Sequence, residues 1–403
     1  MLLASGTLAA QCGEERTVSA NALDEFTWKR LNAIYEDVGE GRYDEAFEDL
    51  QKLLERSGRD QYLKAVVNQA LAQVEWSREH YTASLRHFEE AVTLDVLPDE
   101  VHFALMYQIA QLYYLQDRLG EAGEKLDLWF CRVPAEKITA SAWVLKASID
   151  LRRGEHAAAL AAIDSAIGMT PDPEEPWYQL KLAAHFELRQ YEPAADTLEA
   201  MIGRWPGKKR YWIQLAQILG TLERGEEALA VLALAHRAEL LGTERDLVLL
   251  SSLYSQSGLP FKAAEILQEG VERGVVAGTR LTWTRIADAW YAAEELERAL
   301  AGYEAAGRAA QDGETDLRRA YILADLERWS AARDALDQAL DKGGLHDRQQ
   351  GEAYLLRGLA QFNLEQLDAA GEDWEQAGRI EETRESARQW LNHLREERRR
   401  RSS

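Results

Sequence analysis

The sequence predicts an all-α solenoid of about ten helix–turn–helix repeats closed by a C-terminal helix, and three columns of aligned residues predict it. Sliding one unit along the chain brings Ala46, Ser84, Ala122, Ala159, Ala194, Ala228, Ala263, Ala299, Ala332 and Ala370 into register, every one of them small. Four residues further on lie Leu50, Phe88, Leu126, Ile163, Leu198, Leu232, Leu267, Tyr303, Leu336 and Trp374, all large and apolar. A third column, in the first helix of the unit, is small again: Ala72, Ala110, Ala147, Ala216, Ser251, Ala287, Ala320 and Gly358. Helix axes approach to about 8–10 Å only where side chains are small. The small columns therefore mark helix crossings, and the large column fills the space between layers.

The clearest copy of the unit runs from Arg210 to Arg237. Trp212, Leu215, Ala216 and Leu219 fall at i, i+3, i+4 and i+7, on one face of a first helix. Glu223-Arg224-Gly225 reads as the turn, and Ala228, Leu229, Leu232 and Ala235 form the stripe of a second helix. A lone hairpin of this size cannot bury both stripes and needs a similar neighbour on each side.

Composition agrees. A length of 403 residues ordinarily suggests two or three globular domains, but a repeat array is one continuous core that grows with copy number. The chain is rich in Ala, Leu and Glu, and its eight prolines are few. A net charge of −22 argues against nucleic acid and anionic membranes as general partners, because phosphate binding needs clustered Lys and Arg. An acidic surface also keeps a long solenoid soluble. No apolar run approaches the roughly 18 residues that span a bilayer.

Taken in order, residues 1–22 are expected to be a truncated signal peptide and lead-in. Leu2, Leu3, Leu8, Ala9 and Ala10 resemble the apolar core and small-residue end of an export signal, without its basic start. An ordinary terminus is the other reading, and a lipid anchor at Cys12 is disfavoured by Gln11. Cys12 and Cys131, the only cysteines, lack CxxC spacing, so Cys131 is expected to be a small buried side chain and no disulfide framework is expected. The array is placed over 23–380. Tyr43 and Tyr81 are expected to close the first two hairpins; the third copy carries Tyr107, Tyr113, Tyr114, Trp129 and Phe130. The fourth and fifth copies end at Pro171 and Pro206, which stop a helix. Gly258-Leu259-Pro260 supplies a turn with a residue free to take positive φ and a proline suited to a first helical turn. Residues 381–403 form a capping helix with a basic tail, Trp390, Leu391 and Leu394 facing the tenth copy. The arginine run from Arg398 to Arg401 complements a helix C-terminus.

Catalytic motifs are missing. His80, His87, His102, His156, His185, His236, His346 and His393 are scattered without HExxH or paired spacing, and read as surface or turn residues. There is no phosphate loop, GxGxxG or GxSxG. No catalytic, cofactor-binding or metal residues are therefore expected, and no cofactor. What remains is the inner groove, lined by first-helix residues that do not pack within the hairpin: Gln69, Gln73, Trp76, Tyr107, Gln111, Tyr114, Arg210 and Gln217. Amides can bond a peptide backbone while rings take its apolar side chains. The Lys and Asn pattern of a carboxylate clamp is missing, which disfavours chaperone tails.

With a step of roughly 33 to 38 residues, against about 34 for the family unit, the array resembles the tetratricopeptide repeat family from Phe26 to Ile380. KLDLWF at Lys125 to Phe130, KRYWIQLAQILGTLERGEEALAVLALAHR, LVLLSSLYSQSGLPFKAAEILQEGVERGVV and SARQWLNHL further resemble a proteobacterial subgroup of such proteins associated with the TonB energy-transduction system. That resemblance implies a right-handed superhelix in the periplasm, non-enzymatic, assisting TonB with ExbB and ExbD during outer-membrane import. A cytoplasmic scaffold or sensor controlling an enzyme or transcription factor is the alternative.

Overall fold

The computed structural model describes Val18 and residues 23–402. The expected export signal and Cys12 lie outside the described residues. All described elements are helical: twenty-one α-helices and two short 3-10 turns, with no strand among the described residues. Twenty of the helices form ten successive hairpins. The chain divides into two compact units, Met1–Met201 and Ile202–Ser403.

The first unit holds the hairpins α1 (Glu25–Gly39) with α2 (Tyr43–Arg56), α3 (Gln61–Ser77) with α4 (Tyr81–Thr93), α5 (Asp99–Leu115) with α6 (Leu119–Arg132), and α7 (Ala140–Arg152) with α8 (His156–Gly168). Helix α9 (Glu175–Glu187) follows, and the division between units falls inside α10 (Tyr191–Arg204). The second unit continues with α11 (Lys209–Thr221), α12 (Gly225–Arg237), α13 (Glu244–Gln256), α14 (Pro260–Glu272), α15 (Arg280–Ala292), α16 (Leu296–Ala309), α17 (Glu314–Asp325), α18 (Trp329–Lys342), α19 (Asp347–Asn363) and α20 (Leu367–Ala377). Helix α21 (Arg384–Ser402) closes it: the Trp390 ring stacks on Trp374 at 5.2 Å, and Leu394 is buried against the same cluster. Arg398 returns to α20, donating to the Leu367 carbonyl at 3.1 Å and to Asp368 at 2.6 Å.

Every residue of the three columns is buried. The columns work because one turn recurs in all ten hairpins. Five residues ahead of each small-column residue stands a residue with positive φ: Gly41, Glu79, Asp117, Gly154, Arg189, Glu223, Gly258, Glu294, Glu327 and Glu365. In each, two backbone bonds close the first helix. Glu79 donates to the Trp76 carbonyl at 2.9 Å and His80 to that of Glu75 at 2.8 Å, the pairing of a Schellman motif. The second helix starts at once, which sets the angle at which the next small residue meets its crossing. First helices begin more often with side-chain caps, from Asp24, Asp60, Thr139, Thr243, Thr279 and His346.

Four expectations need correction. Tyr211, not Trp212, is buried in the first helix of the sixth hairpin; Trp212 is only half-buried and donates its indole N–H to the Pro206 carbonyl at 2.9 Å. Gly225 is not part of the bend but the first residue of α12, the positive φ falling on Glu223. Three histidines are interior rather than superficial: His87, His102 and His185 are buried, His87 on Asn68 at 2.9 Å and His185 on Gln190 at 3.0 Å. Cys131, at the end of α6, is half-buried rather than buried, and it is disulfide-bonded.

Candidate functional site

In the first unit, the first helices of successive hairpins leave two positions, one and four residues after the small column, exposed or half-buried. These are Gln73 and Trp76 on α3, Gln111 and Tyr114 on α5, and Ser148 and Leu151 on α7. Three of the sequence-predicted residues, Gln73, Trp76 and Gln111, meet around one cavity of about 330 Å³. Val38 of α1, Ser77, Gln108 and the ring of Phe88 complete it. Sequence reasoning missed Gln108, whose position two residues before the small column points at the same space. Its side-chain oxygen is buried and has no hydrogen-bond partner. An unmet buried acceptor costs about 1–3 kcal/mol, which a donor brought by a ligand would recover.

The ring positions differ in availability. Trp76 is exposed and holds Tyr81 edge-on at 5.5 Å. Tyr114 is half-buried with the Arg152 guanidinium 5.1 Å from its ring centre. Tyr107 instead packs on Trp129 at 5.3 Å, at the edge of the core. Burial pushes its phenol above the usual range, and a hydrogen bond to Gln111 opposes this. Gln69 is half-buried on α3. None of the residues lining the cavity is charged, so it offers amides, one hydroxyl and apolar surface.

Arg210 and Gln217 belong to the second unit, on α11. Gln217 is exposed, whereas the Arg210 guanidinium lies 4.7 Å from the ring centre of Tyr211. Other hollows of this unit lie away from these two residues, among them one of about 730 Å³ between α13 and α15 and a smaller one of about 240 Å³ beside Tyr291, Tyr303 and Tyr321. Neither was anticipated, because their polar residues, serines and single arginines, carry no pattern in the sequence. Among the described residues no group of three or more His, Cys, Asp or Glu is placed to hold a metal ion.

Residues 70–129 and 317–384 match the family model described as tetratricopeptide repeat. Those two segments carry the likeness to that repeat. The first encloses the amide-lined cavity, and the remaining hairpins share its columns and its turn. Among curated proteins, the pre-mRNA-splicing factor clf-1 of Neurospora crassa is 26% identical over 232 residues, covering 57% of this chain and 30% of that protein. The chain thus spans under a third of that relative. Among solved structures, a tetratricopeptide repeat protein from Parabacteroides merdae is 14% identical with a TM-score of 0.34, covering 72% of this chain and 98% of that one. YrrB, described as a TPR protein with an unusual peptide-binding site, is 17% identical with a TM-score of 0.38, covering 49% of this chain and all of that one (100%). A tetratricopeptide hairpin supplies helix faces rather than reactive groups, and no described helix here is long and apolar enough to cross a membrane.

Proposed function

We propose that this chain is a non-enzymatic adaptor that holds peptide segments of partner proteins, and that the cavity around Gln73, Trp76, Gln108 and Gln111 is one holding point. The observation that carries this reading is the convergence of three amides and an exposed indole from consecutive repeats on one uncharged hollow. Amides bond an extended backbone whatever its sequence, and the indole covers an apolar side chain. The finer reading places the adaptor in the periplasm, assisting TonB, ExbB and ExbD. It draws on the resemblance of the four sequence stretches above.

The test uses the full chain and purified periplasmic segments of TonB, ExbB and ExbD in isothermal titration calorimetry. Micromolar binding to one of them, lost in a Gln73→Ala/Gln111→Ala double variant of unchanged helix content, supports both parts. Binding to none rejects the TonB role. Thiol counting on protein taken from cells addresses location: fully reactive Cys131 favours the cytoplasmic alternative.

A further inference from the structure

The closing helix α21 carries an unusual charge pattern. Its apolar side, Ala387, Trp390 and Leu394, is turned to the body of the last hairpin, and Arg398 bonds α20 beside it. Arg384, Arg388, Arg395 and Arg399 are exposed, and at about 3.6 residues per turn they fall within about 60° of one another along about 22 Å of helix. Glu385, Glu396 and Glu397 lie outside that sector, so the stripe is wholly basic. Arg384 meets Glu381 of the preceding turn at 2.6 Å, and Arg395 donates to Asn392 at 3.1 Å. Other helices match such cations with acids of their own: Arg224 with Glu227, Arg308 with Glu304, Arg348 with Glu352. On α21 the neighbours at i and i+4 are Arg384 with Arg388 and Arg395 with Arg399, like charges that repel. The macrodipole favours the arginines of the last turn, but it disfavours Arg384 in the first turn and does nothing for Arg388. Helix stability therefore does not account for the stripe.

We infer that α21 is a docking face for an anionic lipid surface, its arginine stripe lying along the plane of the phosphate headgroups. The inference stands apart from the adaptor reading. The four guanidinium groups are spread along a convex helix face rather than converging on one point, so they suit an extended anion and not a single phosphate or carboxylate. A bilayer is such an anion, and being flat it can meet a closing helix alone. A helix is about 10–12 Å thick, more than the roughly 8 Å over which exposed charges act at physiological salt. The acidic residues of α20 and beyond are therefore screened from the plane that the stripe meets. The net charge of −22 still argues against membranes as partners of the array in general, and it confines the attraction to this helix. A nucleic-acid duplex is the weaker match, because its phosphates wind away from a straight stripe. The contact is electrostatic and peripheral, since the apolar side of α21 is already covered.

Vesicle co-sedimentation of the full chain tests this, with vesicles of phosphatidylcholine alone and of phosphatidylcholine with about 30 mol% phosphatidylglycerol. At about 50 mM salt the chain is expected to sediment with the anionic vesicles and not the neutral ones, and to be released at about 500 mM salt. Arg384→Gln/Arg388→Gln should weaken binding about tenfold or more, each cation near such a surface being worth about fivefold. The melting temperature should not fall, because neither charge supports the helix. Arg384→Lys/Arg388→Lys should keep most of the binding, since a headgroup plane responds to charge rather than to the planar fork of a guanidinium. Equal sedimentation with neutral vesicles, none with anionic vesicles, or full binding by the glutamine variant would each overturn the proposal. So would loss of binding in the lysine variant, the mark of a carboxylate-bearing protein surface. Equal or tighter binding of a fluorescein-labelled duplex of about 20 base pairs at the same salt, read by anisotropy, would overturn it in favour of nucleic acid.

Discussion

Gly358 and Trp374 are complementary: a Cβ placed on Gly358 would lie 2.5 Å from the indole nitrogen of Trp374. Gly358 is the one glycine of the first-helix small column, and Trp374 is the one tryptophan of the large column. The ring fills the space the glycine leaves, donates to the Leu355 carbonyl at 3.1 Å and carries Trp390 on its other side. The last repeat thereby receives its closing helix.

Gly358→Ala should lower stability by about 1–3 kcal/mol through overpacking, although alanine is the better helix former by about 1 kcal/mol. Urea unfolding followed by circular dichroism measures it. An unchanged midpoint would mean that the Trp374 ring moves aside freely, and the proposed pairing would fall.

The recurrent turn makes an opposite prediction. Seven of its ten positive-φ positions hold residues other than glycine, Glu223 among them with φ 60°. A left-handed conformation costs such residues about 1–2 kcal/mol, partly offset by the flexibility a glycine adds to the unfolded chain. Glu223→Gly should therefore raise stability by about 0.5 kcal/mol, while Gly258→Ala, at φ 72°, should lower it by about 1 kcal/mol. Equal and small effects at both positions would show that the turn relaxes to another geometry.

At the amide-lined cavity, position should separate binding from folding. Tyr107→Ala removes a ring packed on Trp129 and should cost about 1–3 kcal/mol of stability. Gln73→Ala touches only exposed surface and should stay within about 0.5 kcal/mol of the parent. Thermal melts of the two variants settle the contrast, and a stable Tyr107→Ala would return that ring to the groove.

His87 links stability to pH. Burial holds its imidazole below the ordinary value of 6.5, with Glu90 pulling upward against it and Arg86 downward. A base whose folded pKa is depressed takes its proton more readily when unfolded. Its contribution is therefore intact above about pH 6.5 and is lost as pH falls from there toward the folded value. His87→Gln should flatten the decline of stability between about pH 7 and pH 5.5. Parallel curves for parent and variant would exclude His87 as a source of that decline.

Much of the architecture was legible in the residues themselves. The small and large columns demanded two crossing helices per unit, and their tenfold recurrence demanded stacking. Trp390, Leu391 and Leu394 announced a closing helix because an apolar stripe at the end of the array has to be covered. The site was only partly legible. Gln73, Trp76 and Gln111 could be assigned to an outward face by register, but register cannot tell Tyr107, drawn into contact with Trp129, from Tyr114. Nor can it show that Arg318 is bound by Asp288 and Glu314.

Sequence alone determined the helical repeat, its period, its crossings and its cap, because burial of apolar area depends on spacing along a helix and spacing is written in the chain. Tertiary structure decided where the backbone turns left-handed, since Glu79 or Glu223 adopts that conformation only when packing on both sides holds the hairpin closed. It also decided which polar side chains stay unengaged, because ion pairing and hydrogen bonding are settled by neighbours distant in sequence.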